Sequence, residues 1–160
     1  MKKFELTSEF VTFLGKKLFR IKALISFGNV KEGELGGFVE KEENLSNDGN
    51  AWVYGNAWVY GNARVCGNAE VYGDAEVYGD ADYATVHGFG SEYRTTTFFR
   101  TKAGNIGVKC GCFYGTLEEF RAKVKKTHGE TKIAKEYLMV ADLMEFRFSK
   151  GGSIDEKMGT

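Results

Sequence analysis

Residues 87–102 read HGFGSEYRTTTFFRTK, and this stretch holds the residue types best suited to gripping an anion. Gly88 and Gly90 free the backbone to turn its amides toward one point, which suits a phosphate. Strand alternation beyond them puts Arg94, Thr96, Phe98 and Arg100 on one face. Two guanidiniums, a hydroxyl and a ring match a phosphate with an attached base. Ser91 adds a hydroxyl, and His87 brings an imidazole that keeps a base role open. The candidate ligand-binding set is therefore His87, Gly88, Gly90, Ser91, Arg94, Thr96, Phe98 and Arg100. The same pattern is also that of a solvated strand whose arginines pair with acids elsewhere in the chain.

Three cysteines and two histidines supply the remaining reactive chemistry. Cys110 and Cys112, two apart, are expected to share a strand face, and with Cys66 or His128 they would make a zinc set. The CGC spacing is not the paired CxxC of structural zinc, so small semi-buried thiols are the simpler reading. Cys112 and His128 form a nucleophile–base pair only on paper, because no third group is visible to orient the base. No catalytic residue, metal or cofactor is expected.

The elements that must carry these residues are led by a six-residue phrase, Val-Tyr-Gly-Asn/Asp-Ala-x. Valine recurs at Val53, Val59, Val65, Val71 and Val77, and alanine at Ala51, Ala57, Ala63, Ala69, Ala75 and Ala81. Alanine and valine, two apart, point the same way from a short strand, while x and tyrosine point the other way. Gly followed by Asn or Asp is corner chemistry. Each phrase reads as a short strand plus a corner, and a β-helix with alanine and valine inside is expected.

This pattern resembles the hexapeptide-repeat family, whose members wind as left-handed parallel β-helices with three phrases per coil. More closely, the chain resembles short phage and prophage proteins through GGFVE (Gly36–Glu40), Leu45–Ala57, Phe98–Lys102 and GCFYGTLEEF (Gly111–Phe120). Three phrases per coil would stack residues eighteen apart, Val53 on Val71 and Val59 on Val77. Trp52, Tyr54, Trp58, Tyr60, Tyr72 and Tyr78 would then point outward, with Arg64 near Asp82 as a surface ion pair. Those six rings would be covered by the flanking segments, join copies of the chain as a trimer or dimer, or stack a planar ligand. Some relatives of this type are acyltransferases with a histidine at a trimer seam. Here only His87 and His128 are available, and the repeat is short for a coenzyme A groove.

The flanks read as caps. Val11–Leu14 and Leu18–Leu24 alternate around Gly15-Lys16 as a hairpin. After the repeat, a strand over Tyr93–Thr101, a turn at 103–105 and a strand over Ile106–Cys112 are expected. Thr116 and Glu119 open a helix running to about Thr127, Gly129 ends it, and a second helix begins near Thr131. LMEFRF either ends that helix or forms an edge strand. The expected segments are 1–38 (hairpin and connector), 39–84 (β-helix), 85–150 (α+β region) and 151–160 (a soft tail). The fold class is mainly β.

Charge and composition narrow the partners. The 22 basic and 22 acidic residues balance, so no global field favours nucleic acid. The repeat is acidic, with one basic and six acidic residues over 46–84, and the following segment is mildly basic. No apolar run is long enough to span a bilayer, and an odd cysteine count fits a reducing cytoplasm, a host's if the chain is phage-encoded. The leading expectation is a non-catalytic, oligomeric phage-type protein that sequesters a small nucleotide-like anion, with a host defence signal as the ligand the resemblance implies. The alternatives are a module that docks on a host or phage protein, and an acyltransferase.

Overall fold

A computed structural model describes residues 2–149. The N-terminal hairpin pairs β1 (Phe4–Phe13) with β2 (Lys16–Ala23). Its turn is Leu14-Gly15, at φ 52° and 77°, the geometry whose twist closes a two-residue hairpin. The turn lies one residue before the expected one, and β1 begins well ahead of Val11. Strand β3 (Leu35–Val39) adds antiparallel to β2 and then lies parallel to the repeat. Glycine permits that approach: a Cβ on Gly36 would fall 2.5 Å from the Val53 carbonyl oxygen.

The repeat contributes four two-residue strands, β4 (Trp52–Val53), β5 (Trp58–Val59), β6 (Glu70–Val71) and β7 (Glu76–Val77). Val53 pairs with Val71 and Val59 with Val77, in parallel. All five valines and the alanines from Ala51 to Ala75 are buried, as the alternation requires. Ala81 is exposed instead, because the chain leaves the phrase there for a 3-10 turn over Asp80–Asp82.

The expected left-handed parallel β-helix is not the fold that results. The repeat strands are divided between sheets: β5 and β7 extend the hairpin's sheet in the order β1-β2-β3-β5-β7, while β4 and β6 form a separate pair. The third set of phrases makes only an isolated bridge, Leu45 to Val65. Strand β3 is what joins β5 and β7 to the hairpin, since it pairs with β2 on one side and with β5 on the other. The Arg64–Asp82 ion pair is also absent among the described residues. The Arg64 amide donates to Asp80 Oδ1 at 2.9 Å, and Asp82 instead accepts from Arg100 Nε at 2.8 Å.

The chain continues into an antiparallel sheet ordered β11-β10-β9-β8. Its strands are β8 (Tyr83–Phe89), β9 (Arg94–Arg100), β10 (Ile106–Cys110) and β11 (Phe113–Thr116). Strand β8 adds to the expected elements, whose first strand after the repeat begins at Tyr93. The structure ends β10 at Cys110, and Gly111-Cys112 makes a tight turn into β11. Helix α1 (Leu117–His128) starts on the expected capping box, with the Glu119 amide 3.1 Å from Thr116 Oγ1. Helix α2 (Lys132–Phe148) starts from Thr131 and absorbs LMEFRF. The soft tail expected at 151–160 lies outside the described residues.

Strand β9 separates two cores. Phe99 belongs to the repeat core, and its neighbour Phe98 packs with Phe120, Tyr137 and Met144 beneath the helices. Arg121 clasps the helices together, reaching Asp142 Oδ1 at 2.8 Å and Glu145 Oε1 at 2.7 Å. Among the described residues no helix is long and apolar enough to cross a membrane.

Candidate functional site

A cavity of about 320 Å³ opens where the β8–β9 turn, the β10–β11 turn and the two helices meet. Its apolar lining is aromatic: Phe89 from β8, Phe113 from β11, Phe120 from α1 and Tyr137 from α2. Its polar lining includes Arg94, Lys123, His128 and Ser91. Arg94, Lys123 and Ser91 are exposed, so their polar ends stand toward solvent, while Phe120 and Tyr137 are buried and form the interior.

Each side chain is placed by its element. Arg94 begins β9 after a turn in which Tyr93 takes φ 54°, and it pairs with Glu92. Both partners of that pair are largely solvent-exposed, so it contributes little and an incoming anion can displace it. Phe120 and Val124 are four apart on α1, with Thr127 and His128 a turn further, which brings all four to one helical face. Tyr137 is one helical turn inside α2. Burial pushes its hydroxyl up to about 12, with the Cys110 thiol adding to the shift. That hydroxyl lies 3.7 Å from Cys110 Sγ, where either group can donate, and the same sulfur accepts from Thr96 Oγ1 at 3.2 Å. Tyr137 is therefore a neutral phenol at physiological pH.

The structure divides the expected ligand set. Arg94 and Ser91 line the cavity, and Gly90 backs onto it, where a Cβ would fall 2.2 Å from the Tyr137 hydroxyl. His87 and Gly88 lie on β8 outside the lining, and His87 Nδ1 shares a 2.9 Å hydrogen bond with Thr95 Oγ1. Thr96 and Phe98 are fully buried in the packed core, so neither faces a ligand. Arg100 is already committed. It bonds Asp82, donates from Nη1 to the Phe148 carbonyl at 3.0 Å, and lies over the Phe148 ring. The face expected to hold a ligand is covered because α1 and α2 need that same apolar surface to fold against.

The six outward rings also separate. Trp52 is 0% exposed beneath Phe4 and Phe27, and Tyr60 is 7% exposed beneath Phe13. Trp58 is half-buried between Phe13 and Lys102, whose ammonium sits 4.1 Å from the ring centre. Tyr54 and Tyr72 are half-buried against each other, and Tyr72 also meets Tyr114. Only Tyr78 among the six is mostly open, at 55%. For Trp52, Trp58 and Tyr60, cover by the N-terminal segment accounts for much of the packing that the sequence left open.

Cys110 and Cys112 do not share a strand face, because Gly111 turns the chain between them at φ 60°. Both nevertheless line the cavity with His128. Among the described residues no three His, Cys, Asp or Glu side chains gather into a group that could hold a metal ion. Sequence reasoning did not gather Phe89, Phe113, Phe120, Lys123 and Tyr137 into the site. The spacing of Phe120, Val124 and Thr127 was the available signal. No protein-family model matches this chain, and no curated protein matches it in sequence.

Proposed function

We propose that the protein is a non-catalytic binding protein that holds a small nucleotide-like anion in the cavity beside Arg94. The observation that carries this reading is the lining itself. Four aromatic side chains enclose a space of about 320 Å³, and Arg94, Lys123 and His128 stand around it. Ligand cavities of roughly 300–1,000 Å³ with apolar walls and a few convergent polar groups are the common form. The rings would receive a base, and the guanidinium with the ammonium would receive a phosphate. Thr96, Phe98 and Arg100 have no place in this reading, because they are built into the fold. The resemblance to phage proteins supports sequestration of a host nucleotide signal in a host cytoplasm.

Cys110, Cys112 and His128 line this space, but among the described residues no hydrogen bond joins either thiol to the imidazole. Bound ligand is accordingly expected back chemically unchanged after denaturation. Thermal-shift screening of AMP, UMP, GMP and CMP on the parent and on Arg94→Ala tests the reading. At least one nucleotide should stabilise the parent, and the shift should shrink in the variant. A flat screen, or equal shifts in both proteins, would remove it.

A second reading, association of two copies, has its own observation. Met139, Leu143 and Phe146 on α2 are each more than half exposed. At spacings of four and three they form one stripe, which two antiparallel copies of the helix can cover symmetrically.

A further inference from the structure

A second cavity, of about 490 Å³, adjoins the first. Arg94, Gly111 and Cys112 line both. The Arg94 head group lies over Gly111, where a Cβ would fall 2.7 Å from Nη1. The guanidinium therefore stands at the junction of the two spaces.

The two cavities differ in chemistry. The first is walled by aromatic rings. The second is lined by Asn29, Asn50 and Asn68 together with Tyr54 and Glu70, whose side chains hydrogen-bond each other. Asn50 and Asn68 occupy equivalent corners of the repeat, each just after a glycine at positive φ. The stacked register that pairs Trp52 with Glu70 also carries these two amides to the same side. Each amide donates and accepts, as each sugar hydroxyl does. Glu70 only accepts when ionised and repels a further anion, which keeps phosphate at the Arg94 end. Tyr54 is the single ring in this lining, too little to sandwich a second base.

We infer that the ligand is a nucleoside diphosphate carrying a sugar, with its base among the rings of the first cavity, its phosphates at Arg94 and its sugar hydroxyls on the asparagines and Glu70. This inference rests on the proposed nucleotide-binding reading and specifies its ligand class. A mononucleotide would fill the first cavity and leave the asparagines unused.

The test is equilibrium titration of UDP, UDP-glucose, ADP and ADP-glucose against the parent protein and Asn68→Ala, with Asn29→Ala as a second variant. For at least one base, the sugar nucleotide should bind the parent at least tenfold more tightly than its diphosphate. That advantage should fall severalfold in the asparagine variants, while the affinity for the plain diphosphate stays within about twofold. Both asparagines are exposed, so the variants are expected to fold like the parent. Equal affinities of diphosphate and sugar nucleotide in the parent would overturn this inference and leave nucleotide binding standing. An undiminished sugar advantage in both variants would overturn the assignment to the second cavity. No binding of any of the four would overturn the inference together with the reading beneath it.

Discussion

Arg94 and Arg100 bound the same strand and look interchangeable in the sequence, yet their surroundings assign them opposite roles. Asp82 is nearly buried and accepts from the amides of Tyr78 and Gly79, both at 3.1 Å, as well as from Arg100. Arg100→Ala would leave that carboxylate without its cation and release the Phe148 carbonyl. A loss of about 3 kcal/mol in unfolding free energy is expected, read from urea denaturation. Arg94→Ala should leave stability within roughly 0.5 kcal/mol. Lys3 provides a pH signature. Its ammonium is buried against the Ala51 carbonyl at 2.7 Å, and burial pulls its pKa down to about 8 from an ordinary 10.5. Below pH 8 the lysine is charged in both folded and unfolded chains, so it adds no pH slope there. Between about 8 and 10.5 the unfolded chain holds the proton that the folded chain has released, and stability rises with pH. Burial raises the titration of Tyr54 and Tyr60, which opposes this trend above pH 10. Denaturation midpoints from pH 7.5 to 9.5 should therefore climb in the parent and lose that climb in Lys3→Met. A parallel climb in both would assign it elsewhere.

At the scale of elements, what was legible was local. The buried Val59 and Val77 follow from alternation within one phrase, and α1 begins where Thr116 and Glu119 can cap each other across three residues. What was not legible depended on segments meeting far apart in the chain. Nothing near Tyr60 in the sequence announces that Phe13 will cover it, at a ring separation of 5.8 Å. Nothing near Phe98 announces that Phe120 will cover it. An exposed-ring reading makes Tyr60→Asp mild, and the observed packing reverses that. The Tyr60 hydroxyl donates to Glu76 Oε2 at 2.6 Å, so an aspartate there would lose the buried ring and face a like charge. Tyr60→Asp should cost about 3 kcal/mol, approaching the roughly 4 kcal/mol expected of Val59→Asp inside the valine column. Tyr60→Phe should cost about 1 kcal/mol. Chemical denaturation of the three variants would show the ordering, and a neutral Tyr60→Asp would mean the hairpin does not cover this face.

The whole molecule places the repeat core on one side of β9 and a helix-covered core on the other; the first cavity lies within the helix-covered part, and the second opens between that part and the repeat. No short motif encodes the first cavity. Phe89, Phe113, Phe120 and Tyr137 come from four elements and meet only after the sheet and helices dock. The sequence therefore pointed to Arg94 but supplied it with the wrong neighbours. Association is a property of this scale as well. If copies pair along the α2 stripe, sedimentation should give a dimer for the parent and a monomer for Leu143→Glu with Phe146→Glu, at unchanged helix content. A monomeric parent would dismiss the pairing. Nucleotide binding in the aromatic cavity with Arg94 at its edge is likewise a property of the assembled molecule. Calorimetric titration of UMP and AMP into the parent and Arg94→Ala, both first shown to melt alike, measures that binding. At least one nucleotide should bind the parent saturably. Loss of one charge-assisted contact, roughly 1.5–3 kcal/mol, should weaken that binding by about one to two decades in Arg94→Ala. Absence of heat from every nucleotide, or identical isotherms for the two proteins, would contradict it.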